Sequence, residues 1–386
     1  MRDLFISRIQ ISKIRHLKNV GIALSETERK HLILTGKNGS GKTSVLEAIK
    51  DAVLLEQINS IPMDTQQGRY FNYGERDLKT IKSFASGIKL IYSVANPDLG
   101  ATVFAYLPTN RKQLIVPKSI ESMDVQGKTI ITRNASAEFL KYILSLDYQL
   151  YGAKMDGNTK LKDSLEKWFD NFRDALRNIY GCPELKLNRD TKRLVFNIQL
   201  PEREPFGLHE MSDGYTAFLD VYMELLMRLE IADAVIEYEK PAIVLIDEME
   251  AHLHVELQKR ALPFLTKMFP KIQFIVATHS PFVITSLDNA VVFDLEKNEV
   301  LEYPSLYSYE SVVKSFLDTN SYSQALIQYF QRYKELCFKE RTTEENDEFL
   351  RAKAELELMS PASKELHLAF KDLETKRKAK KSDKIE

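Results

Sequence analysis

Cysteine is scarce in this chain: among its 386 residues there are two, Cys182 and Cys337. They stand far apart with no Cys or His ligand spacing around them, so free thiols in a reducing compartment are expected. Long apolar runs are missing as well. None approaches the ~20 residues of a membrane span, and no membrane partner is expected. The first residues, Met1-Arg2-Asp3-Leu4-Phe5-Ile6, carry an acid and lack a long apolar core, which speaks against a signal peptide. The expectation is a cytoplasmic protein. Charge of one sign is not in excess either. Net charge is −1, so the whole molecule is not a polycation made for nucleic acid, although a local basic face is compatible with it. No internal repeat or low-complexity segment is evident.

What is present begins with an ordinary apolar share of 44%, enough for a real core. The length suits about two domains, or one with a sizeable insertion. The chain is organised around Gly36-Lys37-Asn38-Gly39-Ser40-Gly41-Lys42-Thr43, which fits the phosphate-loop pattern G-x-x-x-x-G-K-S/T at every fixed position. Gly36, Gly39 and Gly41 let the backbone turn so that successive N–H groups point inward at a phosphate. Lys42 brings a compact positive charge to the β- and γ-phosphates, and Thr43 offers a hydroxyl to Mg²⁺. A Gly/Ser turn with an incidental lysine would need neither flank. Here His31–Thr35 reads as a buried strand feeding the loop, and Ser44–Ile49 as the first turns of a helix behind it. Strand, loop and helix start together make an anion site.

Around this loop the pattern predicts strands at Leu4–Ile11 and Val20–Leu24. Ile88–Val94 and Ala101–Leu107 read as neighbouring strands about a turn at Pro97–Gly100. The first hundred or so residues thus read as a phosphate loop wrapped by a small antiparallel sheet. From about Ala135 to Tyr180 the spacing turns helical, with Phe139, Tyr142, Ile143 and Leu146 on one face. Leu165, Trp168, Phe169, Phe172 and Leu176 share another, and both sets read as core. Gly157-Asn158-Thr159 separates the two helices. A hairpin is predicted around Asn188-Arg189-Asp190.

Two further stretches end in polar residues after buried strands, the first of them fully apolar. Ala242–Ile246 runs into Asp247 and Glu248, where ligands bind in open α/β sheets. One carboxylate at such a tip can hold Mg²⁺ and the other can polarise an attacking water. Lys271–Ala277 runs into Thr278-His279-Ser280-Pro281, where His279 could donate to a γ-phosphate or serve the structure alone. Val291–Leu295 reads as a late strand closing the sheet. Met211-Ser212-Asp213-Gly214-Tyr215 precedes a helix with the face Phe218, Tyr222, Leu225, Leu226 and Leu229. Its start is either a plain cap or a second anion site. Past Tyr303 the chain is helical and more polar. It ends on the basic run Lys376–Lys381, either a solvated terminus or a weak nucleic-acid contact.

Taken jointly, the elements from Met1 to Leu301 resemble the ABC-type ATPase heads of the SMC, RecF and OLD-like group. Gly36–Thr43 looks like Walker A, Ile243–Glu248 like Walker B, and Met211–Tyr215 like the ABC signature. Glu250-Ala251-His252-Leu253-His254 takes the D-loop position, and Ala277–Pro281 resembles the switch-histidine strand. Asp213 stands at the first glycine of the usual signature pair, Tyr215 at the usual Gln or Glu, and Met249 at the usual proline. Gln66 and Gln67 are the candidates for the Q-loop.

The resemblance implies an α/β fold: an ABC-type P-loop head with a mixed central sheet, an antiparallel β subdomain, an inserted helical subdomain and a helical C-terminal extension. The expected divisions are 1–134, 135–182, 183–302 and 303–386. It further implies an ATPase using ATP and Mg²⁺. Gly36, Asn38, Gly39, Ser40, Gly41, Lys42, Thr43 and Ser44 would hold the nucleotide, with Ser212 and Gly214 of a second copy capping it. Thr43 and Asp247 would hold the metal, and Glu248, His279 and Lys42 would carry the chemistry.

About 85 residues follow Leu301, and they read as helices without the strand-borne acidic cluster of a Toprim nuclease. The stand-alone ATPase subunits of Septu, PARIS and retron anti-phage systems resemble this arrangement. They imply a homodimer or higher oligomer that controls a separate nuclease or toxin. Tyr307, Tyr309, Phe316, Tyr322, Tyr329 and Phe330 would either dock that effector or pack on the chain itself. The other readings are a RecF-like clamp in repair, with DNA contact, and a transporter head, against which the D-loop argues.

Overall fold

The structure is a computed structural model. It describes residues 3–59, 82, 85–95, 97, 99, 102–109, 139–190, 195–232, 235–236, 240–301, 304–309, 311–312, 324–339, 341–359, 368 and 370–377. Gln66, Gln67, Val313, Phe316, Tyr322 and Lys378–Lys381 lie outside the described residues.

The chain opens with β1 (Ile6–Ile14) and β2 (Leu17–Ala23), an antiparallel hairpin whose inward residues alternate with exposed ones. Next come β3 (His31–Thr35), the phosphate loop, and α1 (Lys42–Asn59). β4 (Ile88–Tyr92) returns to pair antiparallel with β1. β5 (Val103–Leu107) does not sit beside β4 as the sequence suggested; it pairs parallel with β11 (Ala242–Ile246). Phe104, Ala105 and Leu107 are buried without alternation, the pattern of a strand covered on both faces rather than of a half-solvated ribbon.

Helices α2 (Phe139–Met155) and α3 (Thr159–Tyr180) follow. Asn158 caps α3 by accepting from the Leu161 N–H at 3.2 Å, and Gly181 ends it in the left-handed region. Trp168 stacks on Phe172 at 5.4 Å, and Phe172 on Tyr222 at 6.3 Å, so the aromatic stripe is core, as its spacing suggested. β6 (Lys186–Asp190), β7 (Val195–Gln199) and β8 (Phe206–Gly207) form a second antiparallel sheet. Asn188, Arg189 and Asp190 are therefore strand, not turn: they pair with Asn197, Phe196 and Val195. Arg189 also meets Asp147 of α2 at 2.6 Å. Their turn propensity gives way to these partners.

α4 (Asp213–Leu229) leads into a ribbon of β9 (Glu230–Ala232) and β10 (Val235–Ile236). After β11 come α5 (Val255–Met268), β12 (Ile272–Ala277), the short α6 (Pro281–Ile284), β13 (Ala290–Asp294) and β14 (Glu299–Leu301). The central sheet runs β14-β13-β3-β12-β11-β5; its strands are parallel except for β14, so the sheet is mixed. β13, expected to close the sheet, lies between β3 and β14 instead. α1 is buried at Val45, Leu46, Ala48, Ile49 and Val53, in one cluster with Ile9 and Ile22 on one side and Leu32, Leu34 and Ile275 on the other. This is a helix apolar on more than one face because sheets cover it twice. The arrangement is an α/β fold in which the phosphate loop joins β3 to α1.

Two polar residues are buried inside β12 and β3, and the first joins the central sheet to β1. Gln273, fully buried, accepts from the Ile6 N–H at 2.8 Å and donates to the carbonyls of Ile6 and Lys30. His31 accepts from the Phe274 N–H at Nδ1, 3.1 Å away. Burial, helped by the charges of Arg29 and Lys30, pulls the His31 pKa down to about 4. A histidine depressed in this way stays neutral when folded but takes a proton when unfolded below about pH 6.5. Its contribution is complete above pH 6.5 and is lost as pH falls toward 4, by about 3 kcal/mol in all. The expected result is that urea midpoints of the wild type drop more steeply over that range than those of His31→Asn, whose amide oxygen can still accept the Phe274 N–H. Parallel curves would show that His31 titrates normally.

The chain falls into two compact units, Met1–Val312 and Val313–Glu386. In the second, α7 (Gln324–Cys337) and α8 (Thr343–Met359) bury Tyr333, Leu336, Phe349 and Leu356 with Phe370. Phe330 packs against this cluster, whereas Tyr329 is exposed. Lys376 and Arg377 end a helix and pair with Asp372 and Glu374. Both cysteines are free. Among the described residues, no helix is long and apolar enough to cross a membrane.

Candidate nucleotide site

β3 is buried along its whole length and delivers the chain to the loop at Gly36. Gly36 has φ +133°, and a Cβ there would stand 2.8 Å from Ser40 Oγ, so glycine is required on both counts. Gly39 and Gly41 share the positive φ. Asn38 and Gly39 are exposed at the loop's crest, while Ser40 and Ser44 are buried. His16, from the turn between β1 and β2, lies against the loop with Nε2 3.1 Å from the Ser40 carbonyl.

Lys42 folds back over the loop and donates to the carbonyls of Gly36 at 2.9 Å and Lys37 at 3.1 Å. Burial lowers its pKa, against the charges of Glu250, Asp247, Glu248 and Asp294. Thr43 donates its hydroxyl to the Asp247 carboxylate, 3.0 and 3.2 Å from the two oxygens. Burial raises the Asp247 pKa, and hydrogen bonds from Thr43 and Thr109 oppose that rise. Glu248, half-buried, takes a left-handed φ of 47°. A side chain in that region costs on the order of 1 kcal/mol, a strain that sites of function tend to hold.

The parallel register sets Ile246 beside Val276, so the residues just past β11 face those just past β12. Glu250 uses this. Its carboxylate accepts from the Thr278 hydroxyl and from the His279 N–H, each at 2.6 Å. The His279 pKa is lowered, first by burial and then by the Lys42 charge, while Glu250, Glu248 and Asp247 act the other way. The imidazole is thus held neutral, a state that can still donate one N–H. Ser280 caps α6 and donates to Gln258 of α5 at 2.6 Å.

The signature stretch stands apart from these groups in its contacts. Ser212 and Asp213 are exposed at the start of α4, where the Ser212 carbonyl accepts from the Thr216 N–H at 3.0 Å. A Cβ on Gly214 would stand 2.9 Å from the His252 carbonyl, so the helix start rests on the backbone of the turn that follows β11. Tyr215 stacks flat on Tyr180 of α3, with ring centroids 4.1 Å apart and 6° between the planes. Neither the Glu250 bridge nor this stack was legible in the sequence. The first could have been sought by aligning the tips of two parallel strands.

The structure therefore brings Lys42, Thr43, Asp247, Glu248 and His279 into one electrostatic neighbourhood and leaves Ser212 exposed at the start of α4. Thr43 and Asp247 offer hard oxygens, the donor type Mg²⁺ takes, with the remainder usually supplied by phosphate and water. A cluster of three or more acidic, His or Cys ligands is absent among the described residues.

The family described as "AAA domain, putative AbiEii toxin, Type IV TA system" matches residues 128–285. That span takes in the signature, Asp247, Glu248 and His279, and begins after the phosphate loop. The chain is 24% identical to Septu protein PtuA of Bacillus mycoides over 77% of its own length and 41% of that protein. It is 26% identical to the "Retron Ec83 probable ATPase" of Escherichia coli over 57% of this chain and 41% of that one. The chain thus spans about two-fifths of the length of the first curated relatives it matches. Among solved structures, the SMC head domain from Thermotoga maritima superposes with a TM-score of 0.37 at 14% identity, over 75% of this chain and 94% of that one. A component of an ABC transporter complex from Clostridium perfringens gives 0.34 at 14%, over 78% and 89%. The chain is an α/β protein with a phosphate-loop sequence between β3 and α1, similar in sequence to the Septu and retron ATPases.

Proposed function

We propose that the chain binds and hydrolyses ATP, closes head to tail on a second copy, and acts in the cytoplasm as sensor and scaffold for a separate nuclease or toxin in anti-phage defence. The observation that carries this reading is the Thr43–Asp247 hydrogen bond. It sets a phosphate-loop hydroxyl and a strand-tip carboxylate side by side, with Glu248 next in the chain.

In this reading the loop N–H groups and Lys42 bind the phosphates. Thr43 and Asp247 hold Mg²⁺, which screens phosphate charge when bound. Glu248 draws the proton from the attacking water, and His279 donates to the γ-phosphate. Ser212 and Gly214, exposed or half-exposed at a helix start, would cap the nucleotide of the second copy. Asp213 is exposed and can point away from that phosphate. ATP then serves as a removable clamp. Residues 1–134 and 183–302 would form the ATPase lobes, 135–182 the helical insertion, and 303–386 the extension that meets the effector. The similarity to Septu and retron proteins supports the defence role.

The experiment is a mild pull-down of the tagged chain from cells carrying its native neighbouring genes, with and without ATP, followed by light-scattering mass. A stoichiometric nuclease or toxin on a symmetric oligomer, with mass rising by about a whole chain or more on ATP, is expected. A lone chain that retains duplex DNA only with ATP would replace this reading with a repair-type clamp.

A further inference from the structure

We propose that Glu250 is a positioning residue that ties the signature helix of this chain to its own γ-phosphate sensor, His279. The inference rests on the ATPase reading above.

Glu250 sits in a tight turn after Walker B, closed by Ala251 N–H to the Glu248 carbonyl and Leu253 N–H to the Glu250 carbonyl, both at 2.9 Å. Its side chain leaves that turn and crosses to the end of β12. There one oxygen takes the Thr278 hydroxyl and the other the His279 N–H. Thr278 is fully buried, its N–H is bound to the Leu34 carbonyl, and its hydroxyl also accepts from Ser280 N–H. The backbone carrying His279 is therefore set by β3 on one side and by a single carboxylate on the other. Both carboxylate bonds are short and charge-assisted, the class that fixes geometry best. Because both oxygens are engaged in this way, Glu250 is poorly placed to serve as a second base, and the role left to it is placement.

The other end of the same turn touches the signature. His252 holds a left-handed φ of 65°, and its carbonyl stands where Gly214 has no room for a Cβ. A shift of the start of α4, as it closes on a second nucleotide, has no slack to absorb it there. It moves the turn, and the turn moves His279 through Glu250. The path Gly214–His252–Glu250–His279 is short: a close approach, two peptide bonds of the turn and a hydrogen bond, all within one compact unit. Spatial order alone does not establish coupling, so the test is a double-mutant cycle.

Turnover, affinity for a fluorescent ATP analogue and melting temperature are measured for the full chain and for Glu250→Ala, Glu250→Gln, Gly214→Ala and the Gly214→Ala/Glu250→Ala double variant. Glu250→Ala is expected to lower kcat by about 10- to 100-fold while affinity changes less than about 3-fold. Glu250→Gln keeps an oxygen for the His279 N–H and should restore kcat to within about 5-fold of wild type. The double variant should be no slower than the worse single one. A kcat for Glu250→Ala within about 3-fold of wild type, parallel losses of kcat and affinity, or additive effects in the double variant each overturn the proposal. Should Glu250→Ala not fold, Thr278→Val removes one of the two bonds to Glu250 at constant shape, together with the acceptor of the Ser280 N–H, and Thr278→Ser, which keeps both, is its control. A several-fold drop in kcat at unchanged affinity supports the link, and no drop overturns it. A wild-type chain that turns over no ATP would instead remove the ATPase reading, so the two failures are distinct.

Discussion

Replacing Lys42 with alanine weakens ATP binding by about 100- to 1,000-fold, the value of two charge-assisted hydrogen bonds to phosphate. The melting temperature of the nucleotide-free variant stays level or rises. The second half comes from where the ammonium is held. Lys42 is buried and donates to two loop carbonyls, yet burial still pulls its pKa down, with nearby carboxylates only opposing that pull. A lysine whose pKa is lower in the folded chain binds its proton less well there than when unfolded. Its charge therefore works against folding at every pH below that lowered value. The phosphates of a nucleotide supply the missing counter-charge, so binding and stability are linked at this one atom. At ATP near a hundred times Kd, the wild type should gain about 2.7 kcal/mol of stability. At the same concentration Lys42→Ala should show no thermal shift. Normal ATP affinity in the variant would sink the phosphate-loop assignment outright.

The strand, turn and helix around that loop were legible from the sequence because they depend on local rules. A fully apolar strand, glycines at fixed intervals and a lysine before a hydroxyl leave few other folds for Gly36–Thr43. The strand tips at Asp247 and Thr278 were legible for the same reason: a run of buried residues that ends in acids or a histidine marks the edge of a parallel sheet. What escaped depends on partners far along the chain. β5 reads locally like β4, and only its pairing with Ala242–Ile246 separates them. Asn188-Arg189-Asp190 reads as a turn until Asn197, Phe196 and Val195 are set opposite. In the sequence Glu250 is read only as the start of the stretch Glu250–His254, by resemblance, with no partner of its own. Its two hydrogen bonds need the register between β11 and β12, which no short window contains. The Tyr215–Tyr180 stack likewise joins residues on helices α4 and α3.

Glu248→Gln is expected to lower kcat by about 100- to 10,000-fold, the range that a general base supplies. ATP affinity should stay within a few-fold, and the ATP-bound, doubled mass should persist where the wild type returns to its starting mass. Glutamine keeps the shape and the left-handed backbone of Glu248, so both proteins carry the same local strain and any difference belongs to the carboxylate. The neighbouring acids cannot stand in for it. Asp247 is engaged by the Thr43 hydroxyl, and Glu250 is engaged by Thr278 and His279. Single-turnover hydrolysis with light scattering on the same sample reads both effects. Unchanged hydrolysis removes Glu248 from the base role. A variant that binds ATP, turns over slowly and keeps its starting mass would divide the reading differently. The chemistry of the site would stand, but the exposed helix start at Ser212 would have lost its claim to the second nucleotide, because a trapped ATP with no partner across it is not a clamp.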